Sequence, residues 1–227
     1  MIGKKKKLSK KEIQEDKLVV WFYKAQDYIL KNQQYLLIGV GAIAILVLAI
    51  LWYNNKISDD NQLASLQLSK AIPFYEKAQY QKAIDGEPGT DINGLASIVE
   101  NYGSTEQGEI AKIYLGNSYL ALGNYKKALE VYSDYSGDSK IHMATSLAGQ
   151  AACYENLGNY EKAAENYNKA AKISILDSQT AEYLLDSAKN YLKNNSLEKA
   201  KELISEIKED YKTTTAAREA DRYTYKF

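Results

Sequence analysis

Three segments of this 227-residue chain superimpose residue for residue, and no other feature constrains the fold as tightly. They are Gly116-Tyr119-Gly123-Tyr125-Ala128-Tyr132, Ala151-Tyr154-Gly158-Tyr160-Ala163-Tyr167 and Ala188-Tyr191-Asn195-Leu197-Ala200-Ile204. The first two lie 35 residues apart and the next two 37. A small residue one helical turn before an aromatic lets one helix approach its partner closely. Gly or Asn then reverses the chain, and a small Ala on the second helix receives the first. The spacing predicts an all-α solenoid of antiparallel helix pairs, each burying its apolar face against its neighbours. Such an array presents a long surface and no ready-made catalytic cleft, so protein binding is the leading expectation.

Lys+Arg and Asp+Glu balance at 29 each, which argues against a nucleic-acid binder with its basic face. The balance conceals an asymmetry: the first 34 residues hold nine lysines against four acids. One cysteine, Cys153, excludes an internal disulfide and a cysteine-based metal cage.

From Tyr35 to Tyr53 run nineteen residues without a charge. At 1.5 Å per residue they reach roughly 28 Å, matching a hydrocarbon core of about 30 Å. Tyr35 sits at one border and Trp52 and Tyr53 at the other, where amphipathic rings favour the interface. A cleaved signal peptide would have a shorter apolar run followed by small residues, whereas Trp-Tyr-Asn-Asn-Lys follows here. An uncleaved single-pass helix over 35–53 is therefore expected. Lysines precede it, and Lys56, Asp59 and Asp60 follow it. The positive-inside rule then keeps the N-terminus in the cytoplasm and exports the rest, which in a bacterium means an inner-membrane anchor and a periplasmic repeat domain. The span carries no ionisable residue and no pair of small residues four apart, so it reads as an anchor rather than a transport path or a dimer seam.

The leader, 1–34, opens with a capping box at Ser9-Lys10-Lys11-Glu12 and predicts a helix through about Leu30. Leu18, Trp21, Ala25 and Tyr28 recur at three- and four-residue steps. Two readings stand: an amphipathic helix on anionic lipid, or a solvated segment whose charges only fix orientation. Residues 58–102 read as a degenerate start of the solenoid. A helix is expected over 58–86, with Leu63, Leu66, Ala71, Phe74, Ala78 and Ala83 buried and Pro73 kinking or breaking it. Tyr80 and Ala83 echo the repeat without its full register, a turn follows over 85–94, and a short helix covers 92–102. Ser104-x-x-Gln107 should cap the next helix. Three repeats are expected within 105–211, at 105–137, 139–174 and 178–211, and a capping helix within 213–227.

The repeat residues resemble the tetratricopeptide repeat. With the basic leader, the anchor, Ala83-Ile84-Asp85-Gly86, the run from Tyr102 to Tyr125 and Lys169-Ala170-Ala171, the chain is similar to single-pass tetratricopeptide proteins of Bacteroidetes-type bacteria. More distantly it resembles the translocon-associated ancillary tetratricopeptide family. What the resemblance implies is a periplasmic scaffold that works with the translocon or with a membrane-anchored periplasmic chaperone. Members that grip acidic C-terminal peptides use Lys, Asn and Arg on the first helices. Asn117 matches that pattern, but Ile113, Gly149, Glu182 and Asp186 replace its partners, so a carboxylate clamp is not expected.

No P-loop, His-Glu-x-x-His or Gly-x-Ser-x-Gly occurs, and His142 is the sole histidine. Glu and Asp stand at spacings ordinary for solvated helix faces, and Cys153 reads as a small buried hydrophobe. No catalysis, cofactor, metal or small-molecule substrate is expected. The binding candidates are the groove positions of the three first helices: Ile113, Asn117 and Leu120, then Ala148, Ala152 and Glu155, then Leu185, Lys189 and Leu192. Their mixed apolar character suits an extended or amphipathic protein segment. The alternative is a permanent structural subunit of a larger envelope complex.

Overall fold

The computed structural model describes the backbone from Lys10 to Lys226 and side-chain surroundings from Lys17 onward. Ser9 of the anticipated capping box and the lysines at 4–7 lie outside the described residues. Among those described, the chain is α-helical throughout, with one isolated bridge between Gly86 and Asn93.

The chain divides into two compact units, Met1–Lys56 and Ile57–Phe227. In the first, α1 (Lys10–Lys31) precedes α2 (Gln33–Glu76), and Asn32 lies between them. α2 is long and apolar enough to cross a membrane, by length and composition, with its apolar stretch unburied by the protein.

In the second unit, the end of α2 is followed by α3 (Tyr80–Asp85), α4 (Leu95–Tyr102), α5 (Glu106–Ala121) and α6 (Tyr125–Ser133). Then come α7 (Lys140–Asn156), α8 (Tyr160–Ile173), α9 (Asp177–Lys193), α10 (Leu197–Asp210) and α11 (Thr215–Ala220), closed by a 3-10 turn over Asp221–Lys226. From α3 to α11 each helix packs on the next, and α5 also packs on α3 and α7 and α9 on α11, the nearest-neighbour pattern of a solenoid. The pairs α5/α6, α7/α8 and α9/α10 lie over 105–137, 139–174 and 178–211, and α11 packs beside α9 and α10 with Ala216, Ala217 and Ala220 buried.

Each pair is joined by one backbone device. Gly123, Gly158 and Asn195 have φ of 76°, 77° and 59°. Their N–H groups donate to the carbonyls of Leu120, Glu155 and Leu192, and the next N–H reaches Tyr119, Tyr154 and Tyr191. This is a helix C-terminus stopped by a left-handed residue. Across each turn a lysine sits over an aromatic ring: Lys127 on Tyr119 at 5.4 Å, Lys162 on Tyr154 at 5.4 Å, Lys199 on Tyr191 at 5.0 Å. Each contact ties the start of the second helix to the end of the first.

The same device occurs a fourth time, in the segment read as a degenerate start of the solenoid. Ala78 has φ 56°, its N–H donates to Tyr75, that of Gln79 donates to Phe74, and Lys82 covers Phe74 at 4.5 Å. The first helix of this pair is the end of α2, with Ala64, Leu68 and Ala71 buried; Leu63, Leu66 and Ala78 are exposed instead. The helix passes through Pro73 and ends at Glu76. The second helix is split. Gly86 and Asn93 bridge, and a Cβ on Gly94 would lie 2.1 Å from the Ile84 carbonyl, so the two ends of the intervening loop meet. With the eight residues Glu87–Gly94 set aside, Leu95 and Ile98 fall at the positions of Ile204 and Ile207, and all four are buried.

Two further details differ from expectation. The cap of α5 is Thr105, whose hydroxyl accepts from the Gly108 N–H at 3.0 Å, rather than Ser104. The Gln107 N–H instead donates to Asn61 Oδ1 at 2.8 Å and fastens α5 to α2.

Left-handed backbone is unfavourable for a residue with a Cβ by roughly 1–2 kcal/mol, and Ala78 has no side-chain group to offset it. Ala78→Gly is expected to raise the melting temperature of the chain. A lower one would mean that the turn does not hold this conformation in solution.

Candidate functional site: the groove along the first helices

The register of the four pairs assigns three groove positions to every first helix. They are Leu68, Ile72 and Tyr75; Ile113, Asn117 and Leu120; Ala148, Ala152 and Glu155; and Leu185, Lys189 and Leu192. The structure separates these positions. Leu68, Ile113 and Leu185 are 3%, 6% and 3% exposed. They belong to the core between neighbouring pairs, which corrects the expectation that Ile113 and Leu185 face a partner. Their place is one turn closer to the seam between pairs, where burial of an apolar side chain is favourable. The other positions are half-buried and line the face: Ile72, Tyr75, Asn117, Leu120, Ala152, Glu155, Lys189 and Leu192, with Ala148 half-buried beside them.

Polar side chains on this face bind each other across pairs. Asn117 donates to the Tyr75 hydroxyl at 3.3 Å and accepts from the Tyr132 hydroxyl at 2.5 Å. Burial pushes the Tyr132 phenol well above its ordinary value, so it stays a donor. Glu155 accepts from Asn190 at 3.1 Å and from Lys193 at 2.6 Å. Burial opposes its ionisation, but these bonds and the Lys193 charge outweigh it and hold the carboxyl below its usual range. Lys189 lies between Asp186 at 3.2 Å and Glu219 of α11 at 2.8 Å. Two carboxylates overcome the cost of burying its ammonium, and its pKa is raised. Asp186 shares that single cation, so burial wins there and its carboxyl is pushed up.

Lys189 is thus already neutralised and does not offer a free charge to a ligand. The face that remains is a shallow apolar strip of Ile72, Leu120, Ala148, Ala152 and Leu192. A cavity of about 650 Å³ opens elsewhere, between α8, α9 and α10, beside Asp177, Tyr191, Lys199 and Glu206. Residues 105–175 match the tetratricopeptide repeat family. The matched stretch covers α5 to α8, the two most regular pairs. The geometry extends the tetratricopeptide turn on both sides, to α2/α3 and α9/α10. No curated protein matches the chain. Tetratricopeptide arrays bind protein partners, and a shallow strip on the first helices suits that role better than it suits a small molecule.

Sequence reasoning missed Ile72 and Tyr75, because the pair that carries them was not recognised. The signal was available: Ala71, Phe74, Tyr80 and Ala83 keep the spacing of Gly116, Tyr119, Tyr125 and Ala128. His142 packs edge-on to Tyr135, with ring centres 6.5 Å apart. Cys153 is buried, and desolvation pushes its thiol up to about 11.

Proposed function

We propose that the chain is a non-catalytic scaffold, anchored in the inner membrane of a bacterium by the apolar part of α2, with its repeats in the periplasm. There it binds extended or amphipathic segments of protein partners near the translocation or chaperone machinery. The half-buried apolar strip running across four helix pairs carries this reading. Asn117, Glu155 and Lys189 are satisfied within the protein and only the Asn190 side-chain oxygen beside them lacks a partner, which leaves apolar contact as the main recognition chemistry. The lysine excess before Tyr35 supports the orientation.

The test alters the strip without removing anything from the core. Lys189→Glu is unsuitable, since it would set three acids together beside α11. Ala148→Glu with Ala152→Glu instead adds two charged side chains to the face. Partners cross-linked in native membranes should then be recovered at least about thirtyfold less, the equivalent of 2 kcal/mol. Circular dichroism should be unchanged. In spheroplasts, external protease should remove the repeats. Undiminished partner recovery would take binding off this face, and protection from protease would overturn the topology.

A further inference from the structure

The apolar side of α1 is not used by the binding face. Leu18, Trp21, Phe22 and Ile29 are between 53% and 69% exposed. At 3.6 residues per turn these four and Ala25 fall on one side of the helix. Lys17, Lys24 and Lys31, seven residues apart, form a stripe along one flank of that side, and the exposed Val19, Tyr23 and Leu30 extend the apolar surface on the other. Asp27 belongs to that stripe and pairs with Lys31 at 2.8 Å; Val20 alone interrupts it. A helix with this many charges does not cross a bilayer, and so broad an exposed apolar side is not left in water without consequence.

We propose that α1 is an interfacial helix that binds anionic lipid, an inference that rests on the anchoring role of α2. Two observations select this occupant. The first is charge complementarity. Residues 17–31 carry three lysines and one acid, and lysines flanking a buried apolar side reach up to headgroup phosphates. The second is continuity with the anchor. α2 begins at Gln33, one residue beyond α1, so an inserted α2 holds α1 at the bilayer surface and a modest affinity suffices. Asn32, whose side-chain amide donates to the Tyr28 carbonyl at 2.8 Å, is the joint between them. Trp21 and the apolar side would enter the boundary between headgroups and acyl chains, with the lysine stripe on the water side.

The chain has two tryptophans, Trp21 in α1 and Trp52 in α2, and each can be made the single reporter. The full chain is placed in nanodiscs of phosphatidylcholine alone or mixed with phosphatidylglycerol, with brominated acyl chains as quencher. In the Trp21→Phe variant, Trp52 should be quenched in both. In the Trp52→Phe variant, Trp21 should be quenched, and protected severalfold from acrylamide, only where phosphatidylglycerol is present. Adding Lys17→Gln, Lys24→Gln and Lys31→Gln should abolish that difference. Trp21 equally open to acrylamide in both discs, or quenched equally in both, would overturn the proposal. Shielding of Trp21 without quenching by lipid would overturn it too, in favour of a protein partner for α1. An unquenched Trp52 would defeat the anchor reading by itself; composition-dependent quenching of Trp21 would still support lipid binding by α1.

Discussion

Replacing Tyr132 with alanine is expected to lower the unfolding free energy of the repeat unit by about 3–5 kcal/mol, the range for truncating a buried aromatic. The residue is fully buried in α6, and its ring lies between two glycines on different helices. A Cβ on Gly116 of α5 would stand 2.6 Å from the ring, and one on Gly149 of α7 would stand 2.4 Å from it. The Tyr132 carbonyl accepts from Ser146 of α7 at 2.6 Å, and the hydroxyl donates to Asn117 of α5. One side chain therefore joins its own pair to the next. Gly149→Val should be destabilising by overpacking, and should cost less in the Tyr132→Ala background than alone, since the ring it strikes is gone. Urea unfolding of the fragment Ile57–Phe227 measures both. A loss below about 1 kcal/mol for Tyr132→Ala would contradict the packing, because surface substitutions fall in that range.

Lys112→Met should be nearly as costly, about 3–5 kcal/mol, the usual result of removing one partner from a buried ion pair. Lys112 and Glu109 are 5% and 7% exposed and meet at 3.0 Å. Lys112 also reaches the carbonyl and the carboxylate of Asp134, each at 2.9 Å. Glu109 accepts from the Ser136 N–H at 2.9 Å and from its hydroxyl at 2.7 Å. The cluster clamps the connection between α6 and α7. Lys112→Met with Glu109→Gln should recover much of the loss, since no unpaired buried charge remains. The pH dependence has a defined sign. Burial lowers the Lys112 pKa, but the bonds to Asp134 and Glu109 outweigh it, and the folded value lies above 10.5. Its contribution is fully present below that ordinary value and is lost as pH rises through the higher folded one. The stability gap between parent and Lys112→Met should therefore narrow only in strong alkali. A gap that closes near neutrality would rule out the ion pair as its source.

The helix pairs were legible in the sequence because three of the turns use residues that tolerate left-handed backbone: Gly123, Gly158 and Asn195. The expected limits, 105–137, 139–174 and 178–211, bracket the observed helices to within a few residues. The fourth pair was hidden for two physical reasons. Ala78 adopts a conformation its type does not advertise, and eight extra residues displace Leu95 and Ile98 from their register. The groove was legible only in part. Spacing placed Ile113 and Leu185 on the right helices, but one turn separates the strip from the seam, and only packing decides between them. The burial of Glu109 and Lys112 is not legible in their i, i+3 spacing, because no local pattern shows that the α6–α7 connection folds over them.

The loop Gly86–Gly94 gives the molecule a port for foreign sequence. Its ends touch through the Gly86–Asn93 bridge, so a guest peptide placed between Pro88 and Thr90 starts and finishes at one spot on the host. Closing a longer loop there adds only about 0.6 kcal/mol per doubling of length, and α3 and α4 keep their places on α5. An epitope or a protease site spliced into this loop would mark the repeat domain in living cells while leaving both termini untouched.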